Sequence, residues 1–215
     1  ATVFAGGVRA GEPRPDPVNR IVVMLDGSGS FTSRQSDAIA LTATLLEDLA
    51  AVKVQRWVNA EQQEHVFLVA LDSTPEVIWE GTIRDLKGLD RGEWVRRFKS
   101  RSDLSDCTDV KGGFELAARL LAGDPLYVRK YLIAFTDLVH EPPRWGVSDC
   151  AKRTYGPPAG FSWEALRDCS VAVLWLPADQ KLVWQRAAQR HGGGRNFRLY
   201  TESESRVARL LPPSA

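Results

Sequence analysis

Five apolar residues in a row, Ile21-Val22-Val23-Met24-Leu25, end abruptly at Asp26-Gly27-Ser28-Gly29-Ser30. Successive side chains of a strand point to opposite faces. An unbroken apolar run of this length therefore belongs to a strand buried on both sides, as in a parallel sheet covered by helices. The polar turn that follows lies at the carboxyl end of that strand.

Other segments repeat the theme. His65–Leu71 is a second buried strand, and Glu76–Glu80 follows after a short turn at Ser73-Thr74-Pro75, which predicts an antiparallel hairpin. Tyr131–Phe135, Val171–Leu176 and Phe197–Tyr200 are further strands. Helical spacing marks Arg34–Ala51, where Ala38, Leu41, Leu45 and Leu49 form one stripe. It recurs over Gly92–Phe98, from Val110 (with Phe114, Ala117, Ala118 and Leu121), over Lys181–Gln189 and near Val207–Leu211. His191-Gly192-Gly193-Gly194 reads as a helix terminator before the last strand. The alternation predicts an α/β fold: a doubly wound, mostly parallel, Rossmann-like sheet with one antiparallel edge strand and helices on both faces. Residues 1–18, rich in glycine and proline, form an extended lead-in, and 19–215 form a single domain.

With 215 residues and 44% hydrophobic content, the chain can bury one sizeable core. The 28 basic and 27 acidic residues nearly cancel, and no basic run occurs, which argues against a nucleic-acid partner. No apolar run approaches the roughly 18–20 residues of a membrane span, so a soluble protein is expected. Cys107, Cys150 and Cys169 cannot all pair within one chain and lack metal-ligand spacing. Three reduced thiols are the simplest reading, which prefers the cytoplasm to export; a Cys150–Cys169 bridge in an exported protein is the alternative. The start at Ala1 shows no signal peptide and is compatible with a mature exported chain.

Ligands of open parallel sheets sit outside the carboxyl ends of strands, where the topology changes direction. Two strands end in an acid there, the first in Asp26 and a later one in Thr136-Asp137. A third loop, Asp106-Cys107-Thr108-Asp109, leads into the Val110 helix. Asp26, Ser28, Ser30, Thr108 and Asp137 together offer two carboxylates and three hydroxyls. An all-oxygen set suits a hard divalent cation, Mg²⁺ first, with Mn²⁺ or Ca²⁺ as alternatives.

This arrangement resembles the metal-ion-dependent adhesion site of von Willebrand factor type A (vWA) domains, over residues 20–211. Asp26-x-Ser28-x-Ser30 matches the motif after the first strand, Thr108 matches the loop threonine, and Asp137 matches the second aspartate. The resemblance implies a vWA fold, with the Ser28, Ser30 and Thr108 hydroxyls on the cation and Asp26 and Asp137 nearby, directly or through water. It also implies an open coordination position for an Asp or Glu of a protein partner, on a monomeric module without enzymatic activity. Leu138 departs from the pattern, which has glycine there, and Cys107 stands where small residues are usual. Neutral hydroxyls leave a cation less compensated than a cage of carboxylates would, so such a site attracts an external anion.

Other readings use the same residues. A metal-dependent hydrolase or phosphotransferase could employ the oxygen cluster, and a vWA scaffold could exist without metal. Asp26 with its serines could also be a plain helix cap and turn. A dinucleotide fingerprint lacks its third glycine, since Thr32 stands there, and Ser28 is outside a Gly-x-Ser-x-Gly context. His140 and Glu141 are candidates for the rim or for a solvated loop. Trp145 and Trp163 are candidates for partner anchors or loop packing. The long connection from Leu138 to Gly160, expected to lack regular structure, starts at the site and carries Arg144 and Arg153. It is therefore the expected wall of specificity.

Overall fold

The computed structural model describes residues 18–51, 64–102, 106–123, 128–144 and 149–205. Six strands form one sheet in the order β3-β2-β1-β4-β5-β6. They are β1 (Val18–Asp26), β2 (His65–Leu71), β3 (Glu76–Thr82), β4 (Val128–Phe135), β5 (Cys169–Leu176) and β6 (Phe197–Thr201). All neighbours run parallel except β2 and β3, which form the expected antiparallel hairpin at the edge. The helices are α1 (Thr32–Ala51), α2 (Arg91–Ser102), α3 (Val110–Leu120), α4 (Ala178–Arg190) and the single turn α5 (Glu202–Ser205).

The apolar run of β1 behaves as its sequence requires. Ile21, Val23 and Leu25 enter a core with α1 and α2, where Leu45, Leu46, Trp94 and Phe98 meet them. Val22 and Met24 enter a second core with α3 and α4, containing Phe114, Ala117 and Trp184. Each such buried side chain contributes about 1.5–3 kcal/mol, so a register slip that inverts the faces is strongly disfavoured. Order 3-2-1 on one side and 4-5-6 on the other places the change of direction between β1 and β4. The loops leaving these two strands therefore open side by side at one end of the sheet.

Several expectations need correction. Cys107 is bonded to Cys150, and Cys169 is the free, buried thiol, so neither three reduced cysteines nor a Cys150–Cys169 bridge is present. The connection after β4 is also more ordered than its composition suggests. Glu141 pairs with Thr108, His140 with Thr154, and Pro143 with Cys150, all antiparallel. These bridges satisfy backbone groups that an irregular loop would leave to water. Trp163 packs against Phe161, Trp184 and Phe197, so it belongs to the core beneath the loop. The predicted Val207–Leu211 helix, the first 17 residues and Trp145 lie outside the described residues. His191 closes α4 and Gly192 follows at φ +77°, as a terminator should.

Candidate metal centre

The five predicted residues sit on three loops at the switch point. Asp26 ends β1 and is buried, and its Oδ1 accepts the Ser28 amide at 2.8 Å, closing a tight turn. That turn brings the Ser28 and Ser30 hydroxyl oxygens within 3.2 Å of each other. Phe31 then anchors the turn in the core, and α1 begins at Thr32. Gly29 is needed for the approach of the neighbouring loop: a Cβ there would lie 2.8 Å from the Asp106 carboxylate, whose backbone oxygen accepts the Gly29 amide at 3.4 Å.

The loop after β4 supplies Thr136 and Asp137. Thr136 donates its hydroxyl to Asp26 Oδ2 at 2.6 Å, and Asp137 Oδ1 accepts the Val139 amide at 3.0 Å. The Ser30 hydroxyl and the charges of Arg34 and Arg153 also stabilise the Asp137 carboxylate. Leu138 adopts φ +57°, the left-handed conformation for which glycine is suited, while its side chain is fully buried.

The third loop is held from three sides. Thr108 and Glu141 exchange backbone hydrogen bonds at 2.9 Å in both directions, and the Asp109 amide donates to the Asp72 carbonyl. The Asp109 side chain caps α3 by accepting the Gly112 amide at 2.9 Å. Cys107 is tied to Cys150. Glu141 itself is engaged by Arg153. His140 is partly buried, and its Nδ1 stands 3.8 Å from Asp109 Oδ1. Burial pushes the His140 imidazole down from its ordinary range, against the pull of Asp109.

Two features make the cluster unusual for protein alone. Burial and the neighbouring Asp137 charge push the Asp26 carboxyl up to about 7, and burial raises Asp137 as well. The Thr108 hydroxyl is fully buried without a hydrogen-bond partner. Two acids that resist ionising side by side, with an orphaned oxygen in the adjoining loop, form a site that a cation would complete. No group of three or more His, Cys, Asp and Glu side chains suited to a metal occurs among the described residues. The donors here are mainly hydroxyls, so the oxygen set fits the chemistry of a Mg²⁺-like ion and not of a soft one.

No protein-family model and no curated protein sequence matches the chain. Solved structures do match. The pilus adhesin SpaC of Lactobacillus rhamnosus GG superposes with a TM-score of 0.55 at 15% identity, over 90% of this chain and 29% of that one. Proximal thread matrix protein 1 of the mussel byssus, in a form with a zinc-occupied MIDAS motif, gives 0.54 at 13% identity, over 87% and 44%. The PilB minor pilin of Streptococcus sanguinis gives 0.51 at 14% identity, over 89% and 58%. The vWA-like fold expected from the sequence is present. At these identities the likeness concerns the fold alone, and the chain spans less than two thirds of the length of each of these three structures.

Within that fold, some contributors carry no motif of their own. Thr136 orients Asp26, Arg34 acts on Asp137, and the Glu141 backbone positions Thr108. For Thr136 the signal is a hydroxyl residue directly before the second acid. Glu141 is a rim candidate in the sequence only through its place shortly after Asp137, and for Arg34 there is no signal, because its role arises only once α1 and the β4 loop are folded together. Among the described residues no helix is long and apolar enough to cross a membrane.

Proposed function

We propose that the chain is a divalent-cation-dependent protein-interaction module. Ser28, Ser30 and Thr108 would hold the cation through their hydroxyls, with Asp26 and Asp137 beside them, directly or through water. When bound, the cation would supply a coordination position for an Asp or Glu of a protein partner. The observation that carries this reading is the buried pair Asp26 and Asp137 together with the unpartnered Thr108 hydroxyl, on a loop that is hydrogen-bonded through Glu141 to the one Asp137 begins. An acidic partner would meet Arg34 and Arg153, whose charges act on Asp137 and which also pair with Glu202 and Glu141. Both oxygens of Asp26 already accept protein hydrogen bonds, which favours a water-mediated role for that residue. The zinc-occupied MIDAS motif of the byssal protein is in keeping with a divalent ion, with Mg²⁺ favoured here by the oxygen donors. The Cys107–Cys150 bridge supports an oxidising compartment, hence export in preference to the cytoplasm. A binding role without catalysis is favoured, because among the described residues no nucleophile paired with a base accompanies the oxygen cluster.

Isothermal titration of the full chain with Mg²⁺ and with Mn²⁺ tests the reading. One saturable site is expected, and Asp26→Ala should abolish it while the circular dichroism spectrum is retained. Absence of any saturable heat in the wild type with either ion would sink the proposal.

A further inference from the structure

Three acids are buried among the described residues, Asp26, Asp72 and Asp137. Each lies at or just past the carboxyl end of an inner strand, β1, β2 and β4 respectively. Two of them belong to the cation reading. The third, Asp72, is the one that forms an ion pair among the described residues. Arg101, near the end of α2, meets it with two nitrogens, Nε to Oδ2 at 2.9 Å and Nη2 to Oδ1 at 3.2 Å. Burying a paired charge brings little stability, because desolvation offsets the attraction. The pair is better explained by what it holds in place.

It holds the end of β2. Asp72 Oδ1 also accepts the Thr74 amide at 2.8 Å, and Arg101 donates to the Thr74 carbonyl at 2.7 Å and to the exposed Glu76. The turn from β2 to β3 is thereby clamped to α2. Two consecutive carbonyls at this clamped end serve the cation site. The Leu71 carbonyl accepts the Gly27 amide and the Asp72 carbonyl accepts the Asp109 amide, both at 2.9 Å. Gly27 lies between Asp26 and Ser28, and Asp109 directly follows Thr108. The first and third loops of the site hang side by side from one strand end.

We propose that Asp72 and Arg101 are positioning residues of the cation site. Their ion pair fixes the end of β2, and the Leu71 and Asp72 carbonyls then set the spacing between the Ser28 and Thr108 hydroxyls. The proposal rests on the cation reading and adds to it a determinant of affinity that supplies no ligand. A Mg²⁺-like ion is sensitive to that spacing, since it demands near-ideal octahedral geometry at about 2.0–2.1 Å. Groups that orient metal ligands commonly account for about 10–100-fold in affinity. Arginine suits the task because its planar fork fixes both carboxylate oxygens at once, which a lysine ammonium does not.

Mn²⁺ tests this on the full chain, because it reports affinity by electron paramagnetic resonance and bound water by the relaxation of water protons. Asp72→Asn keeps an acceptor for the Thr74 amide and removes the ion pair. Arg101→Gln removes the charge and the fork, and Arg101→Lys removes the fork alone. The first two should weaken Mn²⁺ binding about tenfold and Arg101→Lys about threefold. At saturation each variant should relax water protons faster than wild type, because a water takes the place of the displaced Thr108 hydroxyl. A pair that merely clasped the β2–β3 turn would lower the urea midpoint and move neither reading. Unchanged affinity or unchanged relaxation in folded Asp72→Asn therefore overturns the positioning role. Arg101→Lys, the mildest change, decides in the same way if the other two do not fold. Wild-type binding with unaltered variants removes only this role, whereas no Mn²⁺ binding by the wild type removes the cation reading and this role with it.

Discussion

The Thr136 hydroxyl donates to Asp26 Oδ2 at 2.6 Å and accepts the Leu138 amide at 2.9 Å, joining residues 110 positions apart. One hydroxyl thus fixes the acid at the end of β1 to the loop that leaves β4. It also holds Asp26 next to Asp137 in a buried setting where neither charge is welcome.

The first prediction follows from that discomfort. The Asp26 carboxyl lies at about 7 in the fold against an ordinary 3.8, so its protonated form is the one the cation-free fold prefers. The stability it contributes is complete below the unfolded value and is lost as pH rises through about 7. In EDTA, Asp26→Asn should therefore melt higher than wild type near pH 8, and the gap should close towards pH 5. In Mg²⁺ the order should reverse near pH 8, because only wild type gains from the ion. Melting scans of both proteins in the two buffers check this. A variant that melts lower than wild type in EDTA near pH 8 would remove the buried-charge argument.

Thr108 allows a cleaner separation of binding from stability. Thr108→Val keeps the shape of the side chain and removes an oxygen that has no partner in the protein. In EDTA the change should be neutral or stabilising by about 1 kcal/mol, since an unsatisfied hydroxyl leaves the interior. Mg²⁺ affinity should fall at least about tenfold, equivalent to about 1.4 kcal/mol. Calorimetry and urea denaturation on the same preparation read the two effects, and an unchanged Mg²⁺ affinity would remove Thr108 from the ligand set.

Much of this site is legible in the sequence, and what is hidden has a physical pattern. Asp26-Gly27-Ser28-Gly29-Ser30 announces itself because a buried strand and a tight turn both have local signatures. The order of strands and helices is legible for the same reason. The Cys107–Cys150 bond is not, since both residues lie in loops without periodicity and meet only when Glu141 pairs with Thr108. Trp175 is concealed differently: it lies in an apolar run, and nothing in that run distinguishes a bulged residue from a paired one. The α5 turn is short enough that the sequence reading passes over it in favour of the more apolar stretch beyond.

Leu138 tests how much the left-handed backbone costs. At ordinary positions glycine is worse than alanine by roughly 0.5–1 kcal/mol. At φ +57° that order should invert or vanish. Both Leu138→Ala and Leu138→Gly should destabilise by about 2–5 kcal/mol, because a fully buried leucine is lost. The glycine variant should nonetheless be no less stable than the alanine one. Urea denaturation of the pair decides it, and a clear disadvantage for glycine would show that the backbone relaxes.

The Cys107–Cys150 bond closes a loop with a sequence separation of 43. Chain-entropy arguments assign such a closure about 3–4 kcal/mol. The double variant Cys107→Ala/Cys150→Ala should lose stability on that scale in urea. It should also speed hydrogen exchange at the Thr108 and Glu141 amides, which the bond holds together. Unchanged protection of those two amides would mean that the Thr108–Glu141 pairing stands without the crosslink.

β1 and β4 occupy the middle of six strands, each paired on both sides, whereas β6 is paired on one side and across a slipped register. Amides on the inner strands reach solvent only through openings close to global unfolding, while those at a slipped margin open by local fluctuation. Asp26 and the loop leaving β4 are mounted on slow-exchanging ground, and the Leu176–Thr201 margin on faster-exchanging ground. Asp26 and Asp137 therefore keep their spacing while that margin opens and closes.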